Sequence, residues 1–454
     1  MSRTVDVDYL VVGAGAMGMA FTDALIEHAD VRVAMVDRRH GVGGHWLEAY
    51  PFVRLHQSSA FYGVPSTLLG GGQLQQRGPE KGLQERATQA EICAYYARIL
   101  DGMVDSGKVE FFPNSEYVGD GAVVSRISGE RFEMPGARIV DARYLAPSIP
   151  AEKPPPFGVG EGARVLPVND LARLEETPSQ YVVVGSGKTA TDACIWLLSR
   201  GVDPDAICWV RPRDPWMFNR AVVQPDPSIF LGMAADTMQI AERSKSLEEL
   251  FLGLEDADIM LRIDRSVMPT MAKAPTLATW ELEQLRTLEN VVRRGHIQHV
   301  DRGSLTFADG SLAIADDALV VHCAADGLKY PPLLPVWRPE AITLQPIRAG
   351  FPCFGAAVTG YVEATRDTDT EKNRLCPPSP FPDSMATWAK MNVLGTQAAM
   401  SFSSEPDIKA WSDGVALNPA RVPPGYPASA ALDDARERLA RHTKPALAQL
   451  AQLI

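Results

Sequence analysis

The chain has 454 residues, is 46% apolar, and carries a formal net charge of −12 from 44 basic and 56 acidic side chains. That length and apolar content allow two or three domains with buried cores. The acidic balance argues against a nucleic-acid partner, which would require an extended basic surface to neutralise phosphates. The first strand begins near residue 7 with no apolar leader before it and no long apolar run follows, so neither secretion nor a membrane span is expected and a cytoplasmic enzyme is.

The apolar run Tyr9–Val12 reads as a buried parallel strand, and Gly13, Ala14, Gly15, Ala16, Met17 and Gly18 follow it directly. In such a turn the first glycine bends the chain into a helix and the second leaves room for a pyrophosphate at the helix N-terminus. The third lets helix and strand pack closely. Residues 31–36 form the next predicted strand and deliver Asp37, followed by Arg38. A carboxylate there accepts both ribose hydroxyls of an adenosine and repels a 2′-phosphate. The sequence therefore predicts FAD at this turn, bound through Gly13, Gly15, Ala16, Met17, Gly18, Asp37 and Arg38.

Residues 91–104 are apolar at helical spacing, and 109–112 with 121–127 read as short strands. The proline- and glycine-rich stretch 146–162 is the expected crossing into a second domain. There the run Tyr181–Val184 precedes Gly185, Ser186, Gly187, Lys188, Thr189 and Ala190, and the next strand, 206–210, ends in Arg211, Pro212 and Arg213 rather than in an acid. Arginine favours a 2′-phosphate through charge-assisted hydrogen bonds. The prediction is NADPH bound by residues of the turn, with Arg211 and Arg213 setting selectivity. Lys188 suits either the pyrophosphate or solvent. A phosphate loop of a nucleotide hydrolase would need glycine where Val182 stands. Two such turns point to a protein that holds two dinucleotides.

The segment 216–290 is too long for a connection and carries amphipathic stretches at 233–241, 247–254 and 277–288. It is expected to be a helical subdomain over the cleft, forming part of the substrate wall. Arg220 within it suits either the cleft or a structural salt bridge. Residues 318–323 read as a strand, with Ala324, Ala325, Asp326 and Gly327 crossing back to the first domain. Segments 351–360 and 384–399 would complete that domain, and 431–454 would be an exposed or oligomeric brace. The six cysteines form no close pair, which removes dithiol chemistry and most zinc readings, and His296 and His299 read as polar strand positions, so no metal site is expected.

The order of these motifs, with Gly43-Gly44-His45-Trp46, then Tyr50-Pro51, then Arg54-Leu55-His56-Gln57, resembles the flavin-containing and Baeyer-Villiger monooxygenases and their N-hydroxylating relatives. The likeness covers most of 5–215 and is weaker over 300–365. It implies an α/β fold of two Rossmann-like domains: an FAD domain (1–160 and 331–454) interrupted by an NADPH domain (161–330) with a helical insertion (216–290). It also implies flavin contacts for Gly44, His45, Trp46 and Arg54. The superfamily's linker signature, Phe-x-Gly-x-x-x-His, is not satisfied around 157–166, and His56 stands where Baeyer-Villiger enzymes carry an aspartate, so the chain reads as a divergent branch. The implied activity is NADPH reduction of FAD, then oxygen transfer from a flavin peroxide to a small organic substrate; the alternative is a reductase or dehydrogenase serving another acceptor. His56 and Gln57 are the candidate catalytic residues, His56 because an imidazole titrating near neutrality could manage a peroxide proton, or else only as a backbone hydrogen-bonding group.

Overall fold

Two five-stranded parallel sheets, each with a glycine turn at the end of its central strand, organise the protein. The computed structural model describes residues 2–325 and 329–454; the expected return crossing at Asp326 and Gly327 lies outside the described residues. The first sheet runs Ile342–Thr343, Arg138–Asp141, Tyr9–Val12, Val33–Val36, Val109–Phe112. Strand alternation decides what covers each face. Leu10, Val12, Ala34 and Val36 pack with Phe112, Val123 and Phe132 beneath a small sheet formed by Ser2–Thr4, Ser115–Gly119, Ala122–Ser125 and Arg131–Glu133. Val11, Val33 and Met35 join the core that holds helices Ala16–His28 and Pro352–Thr365. These two helices touch backbone to side-chain position, since a Cβ on Gly360 would sit 2.4 Å from the Phe21 carbonyl oxygen.

The second sheet repeats the plan in the order Arg164–Pro167, Leu319–His322, Tyr181–Val184, Ile207–Val210, Val291–Val292. Val182, Val184, Cys208 and Val210 face a small sheet of Gly158–Val159, His299–Asp301, Ser304–Phe307 and Gly310–Ala313. Tyr181, Val183 and Trp209 face the core shared with helix Lys188–Ser199. Strands on both sides of the second sheet in sequence build the first one, so the chain leaves one unit and returns to it.

The insertion is not purely helical. Helices Pro227–Arg243, Leu247–Asp256 and Thr279–Leu285 accompany a three-stranded sheet in which Pro215–Asn219 lies between Met260–Arg262 and Met271–Leu277. The stretch expected as one helix over 277–288 begins as the end of that strand. Pro275 is tolerated because Met271–Leu277 is an edge strand, and Trp216, Met260 and Ala272 bury together against Phe251 and Trp388. Nor is the last helix, Ala430–Gln452, a free brace. It packs along Pro227–Arg243, with Arg438 paired to Asp236, His442 Nδ1 2.5 Å from Glu242, and the Gln449 amide donating to the Ser244 carbonyl at 2.7 Å. Among the described residues no helix is long and apolar enough to cross a membrane.

A buried charge cluster ties these pieces together. Arg220 of the insertion, fully buried, donates to the His56 carbonyl (2.8 Å), to Glu80 (2.5 Å) and to Glu281 (2.7 Å). Glu80 also receives Arg86 at 2.6 and 2.9 Å and the Trp280 indole at 3.2 Å. Lys188, at the head of the helix behind the second glycine turn, lies 3.7 Å from Glu281 and pairs with Asp192. Burial would raise the Glu80 carboxyl, but Arg220 and Arg86 outweigh it and hold it at about 2.

Two outcomes are expected. Gly360→Ala gains about 1 kcal/mol of helix propensity but forces two helix backbones apart at a typical overpacking cost of about 1–3 kcal/mol, so chemical denaturation should show net destabilisation. Because the folded Glu80 carboxyl lies below its ordinary value of 4.5, its contribution is complete above that value and is lost as pH falls towards 2. Wild type should lose on the order of 3 kcal/mol more than Glu80→Gln across that acid window in urea unfolding.

Candidate functional site

At the first turn Gly13 has φ +106° and its N–H donates to the Val36 carbonyl at 2.8 Å. A Cβ on Gly18 would lie 2.1 Å from the Gly13 oxygen, so only glycine allows the helix to start this close to the strand. Gly15 caps helix Ala16–His28 with no side-chain hydrogen bond, leaving the N–H groups of the first turn, which includes Ala16 and Met17, for an external acceptor. Gly43 and Gly44, both at positive φ, close over this turn: the Gly43 N–H donates to the Ala14 carbonyl at 2.9 Å, and a Cβ on Gly44 would stand 3.1 Å from the Gly15 Cα. Asp37 accepts from the Ala14 N–H at 2.8 Å and from the Arg39 N–H at 2.9 Å. Its carboxylate thus holds the turn itself and keeps a lone pair on each oxygen for a ribose. Arg38 pairs with Glu152 at 2.5 Å, and Arg39 bridges the same glutamate and Glu48.

The segment after this turn faces the second unit. His45 stacks on Trp46, ring centroids 5.4 Å apart, and burial with the nearby Arg39 charge pushes its imidazole down to about 4. Trp46 is buried and donates to the Tyr62 hydroxyl at 2.6 Å. Tyr50 donates to Asp192 at 2.7 Å, and Phe52 stacks on Trp196 at 4.8 Å, so the Tyr-Pro element clasps helix Lys188–Ser199. Arg54 is exposed and donates to the Arg86 carbonyl at 3.2 Å, apart from this contact.

At the second turn Gly185 has φ +136° and its N–H donates to Val210 at 3.0 Å. Gly187 caps its helix without a side-chain bond, and a Cβ there would meet nothing within 4 Å, so the approach to the helix N-terminus is open. Ala190 is fully buried. Lys188 reaches neither open solvent nor the turn; Asp192 and Glu281 hold it. Arg220 is a structural ion-pair centre.

The two arginines after the next strand part company, which corrects the expectation that both stand ready for a phosphate. Arg211 is 1% exposed, lies over the Trp209 ring at 4.6 Å and pairs with Asp214 at 2.8 Å, while Nε and Nη1 are buried without partners among the described residues. Asp214 is only three residues on, and Trp209 offers a flat ring, so the planar guanidinium stacks inward. Arg213 remains 46% exposed; its N–H donates to Ser186 Oγ at 3.4 Å, and its guanidinium lies 3.7 Å from Asp383.

The expectation of a histidine titrating near neutrality is also overturned. Burial and the cations Lys188, Arg220 and Arg86 push the His56 imidazole down to about 3. The Thr276 N–H donates to its Nδ1 at 3.4 Å, which assigns the proton of the neutral ring to Nε2. Gln57 is buried and lines a cavity of about 350 Å³. The insertion supplies Phe218, Phe230 and Met233 to its wall, helix Met385–Ser403 supplies Trp388 and Met391, and the final helix supplies Leu439. Arg348 also lines it. Sequence reasoning missed Arg348 and, although it marked segments 384–399 and 431–454, placed neither at a cavity; the lone basic residue of the stretch 344–351 was the available signal for the first, and no local pattern marked the role of the others.

The donor set fits two dinucleotides, since each open helix N-terminus follows a positive-φ glycine, Gly13 or Gly185, and neither is capped by a side chain. Residues 11–61 match the NAD(P)-binding Rossmann-like domain family. Uncharacterized protein Rv2000 of Mycobacterium tuberculosis (strain ATCC 25618 / H37Rv) is 41% identical over 421 residues, covering 92% of this chain and 78% of that protein. Uncharacterized protein Mb2023 of Mycobacterium bovis (strain ATCC BAA-935 / AF2122/97) matches with the same identity and coverage. Among solved structures, the polycyclic ketone monooxygenase of the thermophilic fungus Thermothelomyces thermophila superposes with a TM-score of 0.54 at 14% identity, over 97% of this chain and 89% of that one. Similarity at that level is one of fold. The chain belongs to the family of these two mycobacterial proteins, built on the two-dinucleotide-domain fold that the ketone monooxygenase shares.

Proposed function

We propose that this protein is an FAD-dependent, NADPH-consuming monooxygenase acting with molecular oxygen on a small organic substrate. The observation that carries the reading is the presence in one chain of two open glycine turns, one per parallel sheet, and a largely apolar cavity lined by Gln57. The fold shared with the ketone monooxygenase supports it. When bound, the flavin accepts hydride from the nicotinamide and activates oxygen.

The chain's own groups then have distinct tasks. The N–H groups behind Gly13, Gly15 and Gly18 receive the FAD pyrophosphate, Asp37 turns its remaining lone pairs to the ribose, and Gly44 lets the backbone approach. The turn Gly185 to Ala190 receives the NADPH pyrophosphate, and Arg213 with Ser186 meets the 2′-phosphate while Arg211 fixes the loop from below. The apolar wall excludes water from the reacting centre. His56 acts as a fixed neutral donor through Nε2–H rather than as a proton carrier, and Gln57 orients groups at the cavity wall.

Three results are expected. Anaerobic reduction by NADPH, followed by rapid mixing with oxygen, should give a transient absorbing near the blue edge of oxidised flavin, and a panel of ketones, sulfides and amines should yield an oxygenated product carrying label from ¹⁸O₂. Quantitative hydrogen peroxide release with every substrate, alongside fast turnover with quinone or ferricyanide, would establish the reductase alternative instead. Arg213→Ala should weaken NADPH by roughly tenfold to a hundredfold, the equivalent of one charge-assisted hydrogen bond, and spare NADH; equal losses would remove Arg213 from the phosphate site. His56→Gln should leave the shape of the pH–rate profile between about pH 5 and 8 unchanged, because the imidazole carries no charge anywhere in that range.

A further inference from the structure

Arg348 is the charged side chain of the cavity wall. The other lining groups are apolar or neutral polar, with Asn392, Thr396 and Thr443 among the latter, and no carboxylate lines it among the described residues. Among the described residues the Arg348 guanidinium has no hydrogen bond or ion pair; its contact is the Phe351 ring, 6.0 Å away. Other arginines without such partners, among them Arg77, Arg98 and Arg302, are exposed, whereas the buried ones are paired. Arg220 has two glutamates and a backbone carbonyl, Arg86 has Glu80 and the Leu55 carbonyl, and even the awkward Arg211 has Asp214. Arg348 is half-buried, and a guanidinium set against an apolar wall without a counter-charge is poorly solvated, a position that favours an anion entering the cavity. Burial alone lowers it to about 10, with no carboxylate to offset the shift.

The shape of the site says what kind of anion fits. Phe230, Met233, Trp388 and Met391 give a surface for a hydrocarbon or aromatic body, and the volume of about 350 Å³ is that of a small-molecule pocket. A planar fork presenting two parallel N–H groups matches a carboxylate. With a net charge of −12 the chain as a whole repels anions, so recognition has to come from this one local group.

We infer that the cavity binds an amphipathic carboxylic acid, its carboxylate paired with Arg348 and its apolar part lying against Phe230, Met233, Trp388 and Met391. This deepens the monooxygenase reading by naming the substrate class of the same cavity. Arg348 is then a specificity-determining residue that rejects neutral analogues, since they leave its charge unpaired.

The test is calorimetric titration of the oxidised, flavin-loaded protein with a series of ω-phenylalkanoates of increasing length and with their amides, in the absence of NADPH. Wild type should prefer at least one acid over its amide by tenfold or more. Arg348→Met should abolish the preference while leaving amide affinity within about threefold, and Arg348→Lys should restore part of it through charge without the fork. The inference falls if no acid outbinds its amide, or if the preference survives in Arg348→Met. It also falls if Arg348→Met leaves ligand preference intact and instead shifts the flavin midpoint potential, because the guanidinium then serves the cofactor. Ligand binding is read here without turnover, so acid binding combined with complete peroxide release would sink the monooxygenase reading alone, and oxygenation of neutral ligands only would sink this one alone.

Discussion

A fully buried guanidinium is the constraint on which the arrangement of this protein depends. Arg220 has to be satisfied on every side, and its partners come from places far apart in the chain: Glu80 and the His56 carbonyl from the excursion after the first glycine turn, Glu281 and Thr276 from the far end of the insertion. Removing any one partner would leave a charge in low dielectric, so the pieces are held in one relative position more firmly than apolar contact alone would require. Through Glu281 the same cluster reaches Lys188, and through Asp192 it reaches Tyr50. The second glycine turn and the Tyr-Pro element are thereby registered against each other.

That registration matters because the fold uses one device twice. In each unit a buried central strand ends in a positive-φ glycine, and a helix begins with its N–H groups open. The units differ in electrostatics. Asp37 sits behind the first turn and bonds its backbone, whereas the second is followed by arginines, of which one is drawn inward by Asp214 and Trp209 and the other stays at the surface. The cavity lies beyond these units, walled by the insertion and the two C-terminal helices, and its chemistry is set by tertiary contacts. Burial, with the same cations that assemble the cluster, keeps His56 neutral, which turns a residue suited by type to proton transfer into a hydrogen-bond donor of fixed polarity.

Much of the fold was legible in the sequence because it rests on local rules. Gly13 and Gly185 are required by backbone sterics, Gly18 by a 2.1 Å approach to a carbonyl oxygen, and the strands before them by continuous apolar runs that only a doubly covered parallel strand can bury. The insertion was harder. Its strands are three to seven residues long and two of them contain a proline, so the period-2 signal is weak next to the helical periodicity of its neighbours. Helix Ala430–Gln452 is amphipathic and long, which fits an exposed brace as well as a packed wall; the choice is made by Asp236, Glu242 and Ser244, some 200 residues away.

By itself, the sequence determined the two turns, the strands that carry them and the opposite charge behind each, because each of these follows from residues within about one βα unit of one another. The tertiary structure alone decided which arginine is drawn inward and which stays at the surface, that Lys188 is held in an ion pair, that His56 stays uncharged, and that Arg348 lines an apolar cavity with no counter-ion among the described residues. These are matters of charge and burial. Their sign depends on which distant groups come within a few ångströms, and no local pattern encodes that distance.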